Sequence, residues 1–208
     1  MTIVKEKPDL YEMESALHKS GLTLICGIDE AGRGPLVGPV CAAAVILPQG
    51  LVMEDLNDSK KLTEQTREAL YDVIVKESVS WAVGLATPQE IDALNILQAT
   101  YLAMRRAVDG LACAPDYVLV DGNGDPKLSI ATETVVKGDS KAACIAAASV
   151  LAKVTRDRLL ISLGAQYPQY GFEKHKGYPT KAHYEAIAKH GVIPEHRQTF
   201  LKTLHKHI

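Results

Sequence analysis

The sequence has no long hydrophobic run and no paired cysteine motif. Its apolar stretches all end short of the ~20 residues that a membrane-spanning helix needs, and residues 1–14 are too charged for a secretory signal. The four cysteines lie in apolar or alanine-rich surroundings without a CxxC pair. This usage is typical of buried free thiols in a reducing compartment. We therefore expect a cytoplasmic protein.

Aromatic side chains are also few, at 5% of the chain, but the remaining composition is that of a globular protein. Hydrophobic residues make up 47% of the sequence and charged residues 23%. A chain of 208 residues can bury a real core without disulfide staples. We expect one domain over residues 1–208, with a core at about 22–165 and a helical, basic carboxyl-terminal part at about 166–208.

There is no overall excess of positive charge, because the formal net charge is −2. The charge is nevertheless unevenly distributed. Residues 1–136 contain 11 Lys/Arg and 20 Asp/Glu, whereas residues 137–208 contain 12 Lys/Arg and 5 Asp/Glu. Such an asymmetry indicates either a surface that faces a polyanion or a solvated, lysine-rich helical surface. Charge alone slightly favours the second interpretation.

Hydrophobic periodicity and turn signals predict a mixed α/β domain of about five strands with a helical carboxyl-terminal extension. The predicted strands are 22–28, 40–48, 80–86, 116–121 and 130–136. The predicted helices are 63–78, 87–110, 140–164 and 180–191, with a short amphipathic lead-in at 1–20. The helix at 87–110 begins with a capping box, and its buried side is predicted to carry Ile91, Leu94, Leu97, Tyr101 and Met104.

Residues 27–40, GIDEAGRGPLVGPV, contain more glycine, proline and charge than a turn needs. A dinucleotide-binding loop is excluded by the GxGxxxG spacing, by Pro35, and by the strand-like sequence that follows where a helix is required. No GK[ST] follows, which excludes a Walker A loop. A glycine-rich hairpin with two solvated acids remains an alternative. Arg33 between Gly32 and Gly34 instead suits contact with a phosphate or a ribose.

Four carboxylates are predicted at strand ends or at a strand-to-helix junction: Asp29, Glu30, Asp121 and Asp139. Taken singly, Asp121 is also a common turn residue and Asp139 a helix-cap acid. Together they are expected at one edge of an α/β sheet, where their mutual repulsion calls for a cation. An all-oxygen ligand set favours Mg²⁺ or Mn²⁺ over zinc.

Five colinear motifs between residues 22 and 200 resemble bacterial ribonuclease HII: GIDEAGRGPLVGPV (27–40), NDSKKLT (57–63), VDGN (120–123), VVKGDSKAACIAAASVLAKVTRD (135–157) and YPQYGFEKHKGYPT (167–180). The resemblance implies the ribonuclease H-like fold, a mixed five-stranded sheet flanked by helices. It also implies hydrolysis of RNA in RNA–DNA hybrids. Incision 5′ of single ribonucleotides in duplex DNA, by two metal ions, is implied as well, with 3′-hydroxyl and 5′-phosphate products.

The resemblance identifies Asp29, Glu30, Asp121 and Asp139 as the catalytic, metal-binding set for Mn²⁺ or Mg²⁺. Because neighbouring strand residues point to opposite faces, Asp29 and Glu30 converge only if the strand bends or ends there.

For substrate binding, the resemblance implies that Gly32, Arg33 and Gly34 read the ribose 2′-hydroxyl and its phosphates. It implies that Tyr178 packs on the following nucleotide. Candidate phosphate contacts are Lys60, Lys137, Lys141, Lys153, Lys176 and Arg197. Ser149 shares a helix face with Lys153 and is either a substrate contact or a small packing residue.

The sequence departs from the family pattern at two places. Gly124 stands where compared relatives commonly have arginine, so one phosphate contact is either missing or supplied elsewhere. The end LKTLHKHI (201–208) is interpreted only as a basic tail. The expected partners are RNA–DNA hybrid and ribonucleotide-containing duplex DNA, with no membrane and a monomeric chain; a replication-clamp contact cannot be read from the sequence. The rival hypotheses are a junction-resolvase or integrase-type nuclease and a non-catalytic hybrid-binding module.

Overall fold

The computed structural model describes residues 9–202. Its strands are β1 (Ile25–Ala31), β2 (Val40–Ile46), β3 (Ser80–Ala86), β4 (Tyr117–Asp121) and β5 (Thr132–Val135). Its helices are α1 (Glu12–Lys19), α2 (Glu64–Glu77), α3 (Pro88–Leu94), α4 (Ile96–Asp109), α5 (Ala143–Gln166), α6 (Phe172–His175) and α7 (Lys181–His190). Short 3₁₀ turns occur at Ser59–Lys61, Gly138–Ser140, Pro168–Tyr170 and Gln198–Leu201.

The five strands form one mixed sheet in the order β3-β2-β1-β4-β5, which confirms the predicted architecture. β1 pairs antiparallel with β2, and β2 pairs antiparallel with β3. β1 pairs parallel with β4, which in turn pairs parallel with β5. Parallel pairing places the carboxyl ends of β1 and β4 at the same edge of the sheet, where the predicted acids lie.

Helices cover both faces of the sheet, and alternation along β1 divides its residues between them. Cys26 and Ile28 belong to the core cluster that includes α4. Gly27 faces α5 so closely that an added Cβ would lie 2.1 Å from the Cys144 carbonyl carbon. The alanine-rich first half of α5 permits this approach, as the sequence predicted. No helix within residues 9–202 is long and apolar enough to cross a membrane.

The predicted single helix at 87–110 is wrong, because Asn95 divides it into α3 and α4. Asn95 has a φ of 74°, and its side chain accepts hydrogen bonds from the main-chain N–H groups of Leu97 and Gln98. It thereby caps a new helix. The break shifts the helical phase, so Leu94 and Leu97 are 42% and 41% exposed rather than buried.

The other boundaries differ from the predictions by a few residues. The capping box at the start of α3 is present, with reciprocal hydrogen bonds between Thr87 and Glu90. α5 begins at Ala143 rather than Ser140, because a 3₁₀ turn precedes it. All four cysteines are free, and Cys113 is only partly buried. Residues 1–8 of the predicted lead-in and 203–208 of the predicted tail lie outside the described residues.

Candidate functional site

Three aspartates from separate parts of the chain converge at the carboxyl edge of β1 and β4. Asp29 lies on β1, Asp121 ends β4, and Asp139 lies in the 3₁₀ turn before α5. One carboxylate oxygen from each lies within 4.8 Å of the others. Asp29 and Asp139 are buried and Asp121 is partly buried. Among the residues described, three of the four predicted acids therefore form a cluster.

The local backbone explains how Asp139 reaches the two strand residues. Lys137 adopts a left-handed φ of 57°, which turns the chain after β5 back toward the sheet. The Gly138 N–H donates to Asp121 Oδ1 over 2.6 Å. A Cβ on Gly138 would lie 2.5 Å from Ile145 Cδ1, so a larger residue at this turn would require the Ile145 side chain to shift. The turn therefore places Asp139 directly beside Asp121.

The three carboxyl groups are held in an unfavourable electrostatic environment. Burial raises the pKa of Asp29 well above its ordinary value, and the neighbouring Glu30 and Asp121 carboxylates raise it further. Burial also raises the pKa of Asp139, with a further contribution from Asp121. Within residues 9–202, the one salt bridge to the cluster comes from Lys60 Nζ, 3.7 Å from Asp139, on a side chain that is 79% exposed. Such an exposed salt bridge offsets little of the repulsion among the carboxylates.

This donor set fits a hard divalent cation. All three residues offer carboxylate oxygens, and no histidine or cysteine belongs to the cluster. Oxygen ligands suit Mg²⁺ and Mn²⁺ and are poor for zinc. Bringing a divalent cation among them would relieve the repulsion that raises the pKa of Asp29.

Glu30 does not join the other three carboxylates. β1 continues through this residue, because Ala31 still pairs with Cys41 of β2. Glu30 therefore points to the α4 face of the sheet, opposite to Asp29. Its Oε1 accepts a hydrogen bond from Arg33 Nη1 over 3.3 Å. The structure thus brings together three of the four predicted acids and pairs the fourth with Arg33.

The glycine-rich loop after β1 packs against the loop that carries Tyr178. Gly32 has a φ of +92°, and a Cβ there would lie 1.9 Å from Arg156 Nε. A Cβ on Gly34 would lie 3.6 Å from Tyr178 Cε1, so the tyrosine ring lies over this glycine. The Tyr178 side chain is 44% exposed. The two predicted recognition elements therefore form one surface.

This surface continues into the carboxylate cluster as a cleft of about 230 Å³. Its lining includes the glycine-rich loop, Tyr178 and Asp29, together with Lys60, Ser149 and Lys153. Ser149 is buried, and its hydroxyl accepts a hydrogen bond from the Ser59 N–H over 3.3 Å. That contact supports the packing alternative for Ser149, because it holds the Ser59–Lys61 turn at the cleft wall.

The other predicted phosphate contacts are distributed unevenly. Lys153 forms a salt bridge with Asp157 over 2.7 Å at the cleft wall. Lys137 and Lys141 are exposed next to the Asp139 turn. Lys176 Nζ turns back onto the main-chain carbonyl of Glu173.

Arg197 is a correction to the sequence prediction. It is fully buried and therefore does not present its guanidinium to a phosphate. Its three nitrogen atoms donate to the main-chain carbonyls of Gly38, Arg33 and Gly32 over 2.9, 2.9 and 2.6 Å. Burial lowers its pKa to about 9. Arg197 therefore holds the glycine-rich loop from behind.

The sequence reasoning missed Arg156, which has a similar role. It is buried on α5 and donates to the carbonyls of Pro39, Lys176 and Val37, each over 3.1 Å. It thereby ties the glycine-rich loop to the loop that carries Tyr178. Its position one turn after Lys153 on the same predicted helix was the available signal.

A pair of buried histidines was also missed. The Ile193 N–H donates to His196 Nδ1 over 3.0 Å, so the proton of His196 is on Nε2. That Nε2 lies 3.2 Å from His183 Nε2, which must accept. The proton of His183 is then on Nδ1, 3.0 Å from the Tyr178 carbonyl oxygen. The two neutral imidazoles therefore connect Ile193 to the main chain of Tyr178, and neither ring has a free nitrogen for a metal.

Comparisons with known proteins agree with this geometry. The sequence profile of the ribonuclease HII family matches residues 26–207. Ribonuclease HII of Vibrio vulnificus is 55% identical over 196 residues, covering 94% of this chain and 93% of the relative. The ribonuclease H2 structure from Pyrococcus horikoshii is similar at a TM-score of 0.72 and 28% identity, covering 88% of this chain and 97% of the other.

A ribonuclease HII of Archaeoglobus fulgidus, solved in complex with PCNA, is similar at a TM-score of 0.64 and 26% identity, covering 84% of this chain and 93% of that one. The profile match spans most of the chain and includes the three clustered aspartates, the glycine-rich loop and Tyr178. On this evidence, the chain belongs to the ribonuclease HII family.

Proposed function

We propose that this ribonuclease HII, an endoribonuclease of RNA–DNA hybrids, also incises duplex DNA on the 5′ side of a single embedded ribonucleotide. The products would be a 3′-hydroxyl and a 5′-phosphate. The observation that carries the proposal is that one cleft is lined by Gly34, Tyr178 and Asp29. Asp29 in turn belongs to the cluster with Asp121 and Asp139. A site for hydrolysis and a site for reading one nucleotide then share a single cleft.

Asp29, Asp121 and Asp139 are the proposed ligands of Mn²⁺ or Mg²⁺. When bound, a pair of such ions supplies the positive charge that activates water and stabilises the leaving 3′-oxygen. Glu30 is the proposed fourth carboxylate, and its hydrogen bond to Arg33 is the contact that competes with this role.

Arg33 and its flanking glycines are proposed to recognise the ribose. The 2′-hydroxyl is the group that separates RNA from DNA locally. Gly34 carries no side chain that would keep a nucleotide from its main-chain N–H group, whereas the space beside Gly32 is filled by Arg156. The Arg33 side chain is 50% exposed beside them. Tyr178 offers an exposed ring face for the adjoining nucleotide.

Phosphates of the bound strand are proposed to contact the cationic rim of the cleft. Lys60 and Lys153 line the cleft, while Lys137 and Lys141 are exposed next to the Asp139 turn. Such contacts position a nucleic acid without reading its sequence. Lys176, which is folded back onto Glu173, is a weaker candidate.

The substrate proposal is tested with three labelled duplexes and product mapping. One carries a single ribonucleotide, one is entirely DNA, and one is a long RNA–DNA hybrid. We expect cleavage of the first only at the 5′ side of the ribonucleotide, cleavage of the hybrid, and no cleavage of the DNA. Equal cleavage of the DNA duplex would favour a resolvase-type nuclease, and binding of hybrid without cleavage would favour a non-catalytic module.

We also propose that residues 1–208 act as one catalytic unit, monomeric and cytoplasmic, in keeping with the four free thiols. The PCNA complex of the Archaeoglobus fulgidus relative supports a contact of this chain with a replication clamp. Size-exclusion chromatography of the purified chain with the purified clamp of the same organism tests this contact. Co-elution at micromolar concentrations is expected, and separate elution would argue against it.

A further inference from the structure

A second, smaller cleft lies on the α4 side of the same sheet edge. Its volume is about 130 Å³. Its lining includes Glu30, Arg33 and Asp121, together with Tyr101 of α4 and Gly124 of the loop after β4. The cleft therefore shares Glu30, Arg33 and Asp121 with the proposed catalytic machinery. Tyr101 and Gly124 are not among the residues proposed above to bind a metal ion or the substrate.

Gly124 is a glycine for reasons of space and not of backbone geometry. Its φ is not positive, unlike that of Gly122 two residues earlier at +95°. An added Cβ at position 124 would lie 2.1 Å from the Tyr101 hydroxyl oxygen and 3.1 Å from Cζ. Any other residue at position 124 would therefore displace the Tyr101 hydroxyl from the cleft.

The Tyr101 hydroxyl is available to a ligand. Its ring packs on the core cluster between α4 and the sheet, which fixes the direction of the side chain. Among residues 9–202, no hydrogen-bond partner of this hydroxyl occurs. A tyrosine with a packed ring and a free hydroxyl at a cleft wall is a rigid donor, with little rotamer entropy left to lose on binding.

We propose that Tyr101 is a further substrate-binding residue, whose hydroxyl donates a hydrogen bond to a backbone phosphate of the strand that is cut. This inference rests on the proposed function of the neighbouring site. Arg33 provides a half-exposed cation in the same cleft, and its hydrogen bond with Glu30 offsets one of the two acids there. The contact would replace the one that the sequence placed in doubt at Gly124.

A phosphate contact has a signature that distinguishes it from a contact to the ribose. Because phosphates are common to all substrates, loss of the contact lowers binding equally for every duplex. The Tyr101→Phe variant should therefore raise KM about three- to tenfold on both the long hybrid and the single-ribonucleotide duplex, with kcat unchanged. Tyr71→Phe is the matched control, because the Tyr71 hydroxyl also has no hydrogen-bond partner among the described residues and Tyr71 lies on α2, outside the cleft lining.

The Gly124→Ala variant tests the same contact from the other side. It should raise KM to the same degree, and the double variant should be no worse than either single one, because both remove one hydroxyl from one cleft. Fluorescence anisotropy of a labelled hybrid, in an inactive Asp139→Asn background, should show the same loss of affinity. Circular dichroism melts of each variant check that the fold is kept.

Two results would overturn the proposal: affinity of Tyr101→Phe for the hybrid equal to that of Tyr71→Phe, or a loss confined to the single-ribonucleotide duplex. The anisotropy measurement uses the long hybrid and needs no cleavage. It therefore measures the Tyr101 contact even if the wild-type protein does not incise single ribonucleotides. That absence of incision would refute the proposed function, not the Tyr101 contact.

Discussion

The guanidinium of Arg197 donates a hydrogen bond to the main-chain carbonyl of Gly32 over 2.6 Å, from a fully buried position behind the loop. A second nitrogen donates to the Arg33 carbonyl. No carboxylate of the described residues forms a salt bridge with this cation. A buried charge is tolerated only when its donors are satisfied, and here main-chain carbonyls satisfy them. One side chain from the carboxyl-terminal part therefore holds the main chain of the glycine-rich loop at Gly32 and Arg33.

Replacement of Arg197 by lysine is predicted to loosen this loop. Lysine keeps the charge but cannot reach three carbonyls in the fixed geometry of a guanidinium. Unsatisfied carbonyls should lower the free energy of unfolding by about 2–4 kcal/mol, measured by urea denaturation. Arg158→Lys is the control, since Arg158 is half exposed and pairs with Glu68. Equal unfolding midpoints for Arg197→Lys and wild type would contradict the assigned role.

Activity measurements distinguish a role of Arg197 in positioning the glycine-rich loop from a role in the stability of the fold alone. At a temperature where Arg197→Lys is folded, kcat/KM on the single-ribonucleotide duplex should fall further than kcat/KM on the long hybrid, because the hybrid offers many ribose registers. A parallel fall on both substrates would mean that Arg197 acts only through the fold.

The His183–His196 pair predicts a specific dependence of stability on pH. Burial lowers the pKa of both imidazoles to about 4, below the ordinary value of 6.5. Between about pH 4 and 6.5 the unfolded chain therefore binds more protons, so stability is complete above pH 6.5 and decreases as the pH falls toward 4. At pH 5 each imidazole should lower stability by about 2 kcal/mol.

His196→Gln measures this contribution. The variant should be less stable than wild type at pH 7, and the difference should shrink at pH 5 because one protonation site is gone. His190→Gln, at an exposed position on α7, should follow the wild-type pH profile. A difference between His196→Gln and wild type that stays constant from pH 7 to pH 5 would show that folding does not lower the pKa of His196.

Tyr178 is predicted to contribute to selectivity through its ring. Tyr178→Ala should lower kcat/KM on the single-ribonucleotide duplex by about 10- to 100-fold, the range of one base–aromatic stack, and lower it less on the long hybrid. Tyr178→Phe keeps the ring over Gly34 and should retain most of the activity. Equal losses on both substrates in Tyr178→Ala would remove the recognition role.

The sequence predicted the sheet and the three clustered aspartates because both depend on local signals. Asp29 and Asp121 each follow an apolar strand run. Because parallel strands end at the same edge of a sheet, both residues lie at that edge. The break at Asn95 was missed because asparagine inside a helical pattern is a weak signal. Arg197 was misassigned and Arg156 overlooked because charge in a sequence does not reveal burial. Glu30 points to the sheet face opposite to Asp29 because β1 continues through it. The sequence did not reveal this continuation, since it depends on the pairing of β1 with β2.

Cation binding is predicted to show in stability as well as in activity. At 100 times its Kd, Mn²⁺ should stabilise the native state by about 2.7 kcal/mol, a rise in Tm of roughly 5–10 °C. Asp139→Asn should lose most of this rise, yet melt slightly above wild type in chelator, because it removes repulsion from Asp121. Asp72→Asn, on the exposed face of α2, should behave as wild type in both conditions. A full Mn²⁺ shift in Asp139→Asn would exclude Asp139 from the ligand set.

The most direct test of the account is hydrolysis of a duplex with one ribonucleotide by wild type and by Asp121→Asn, each in Mn²⁺ and in chelator. Asparagine retains an oxygen that can accept the Gly138 N–H, so the turn should persist while one ligand charge is lost. We predict incision 5′ of the ribonucleotide by wild type in Mn²⁺ alone, with a loss of at least about 100-fold in Asp121→Asn. Incision by wild type in chelator, or full metal-dependent activity in Asp121→Asn, would contradict the assignment of this carboxylate cluster as the catalytic centre.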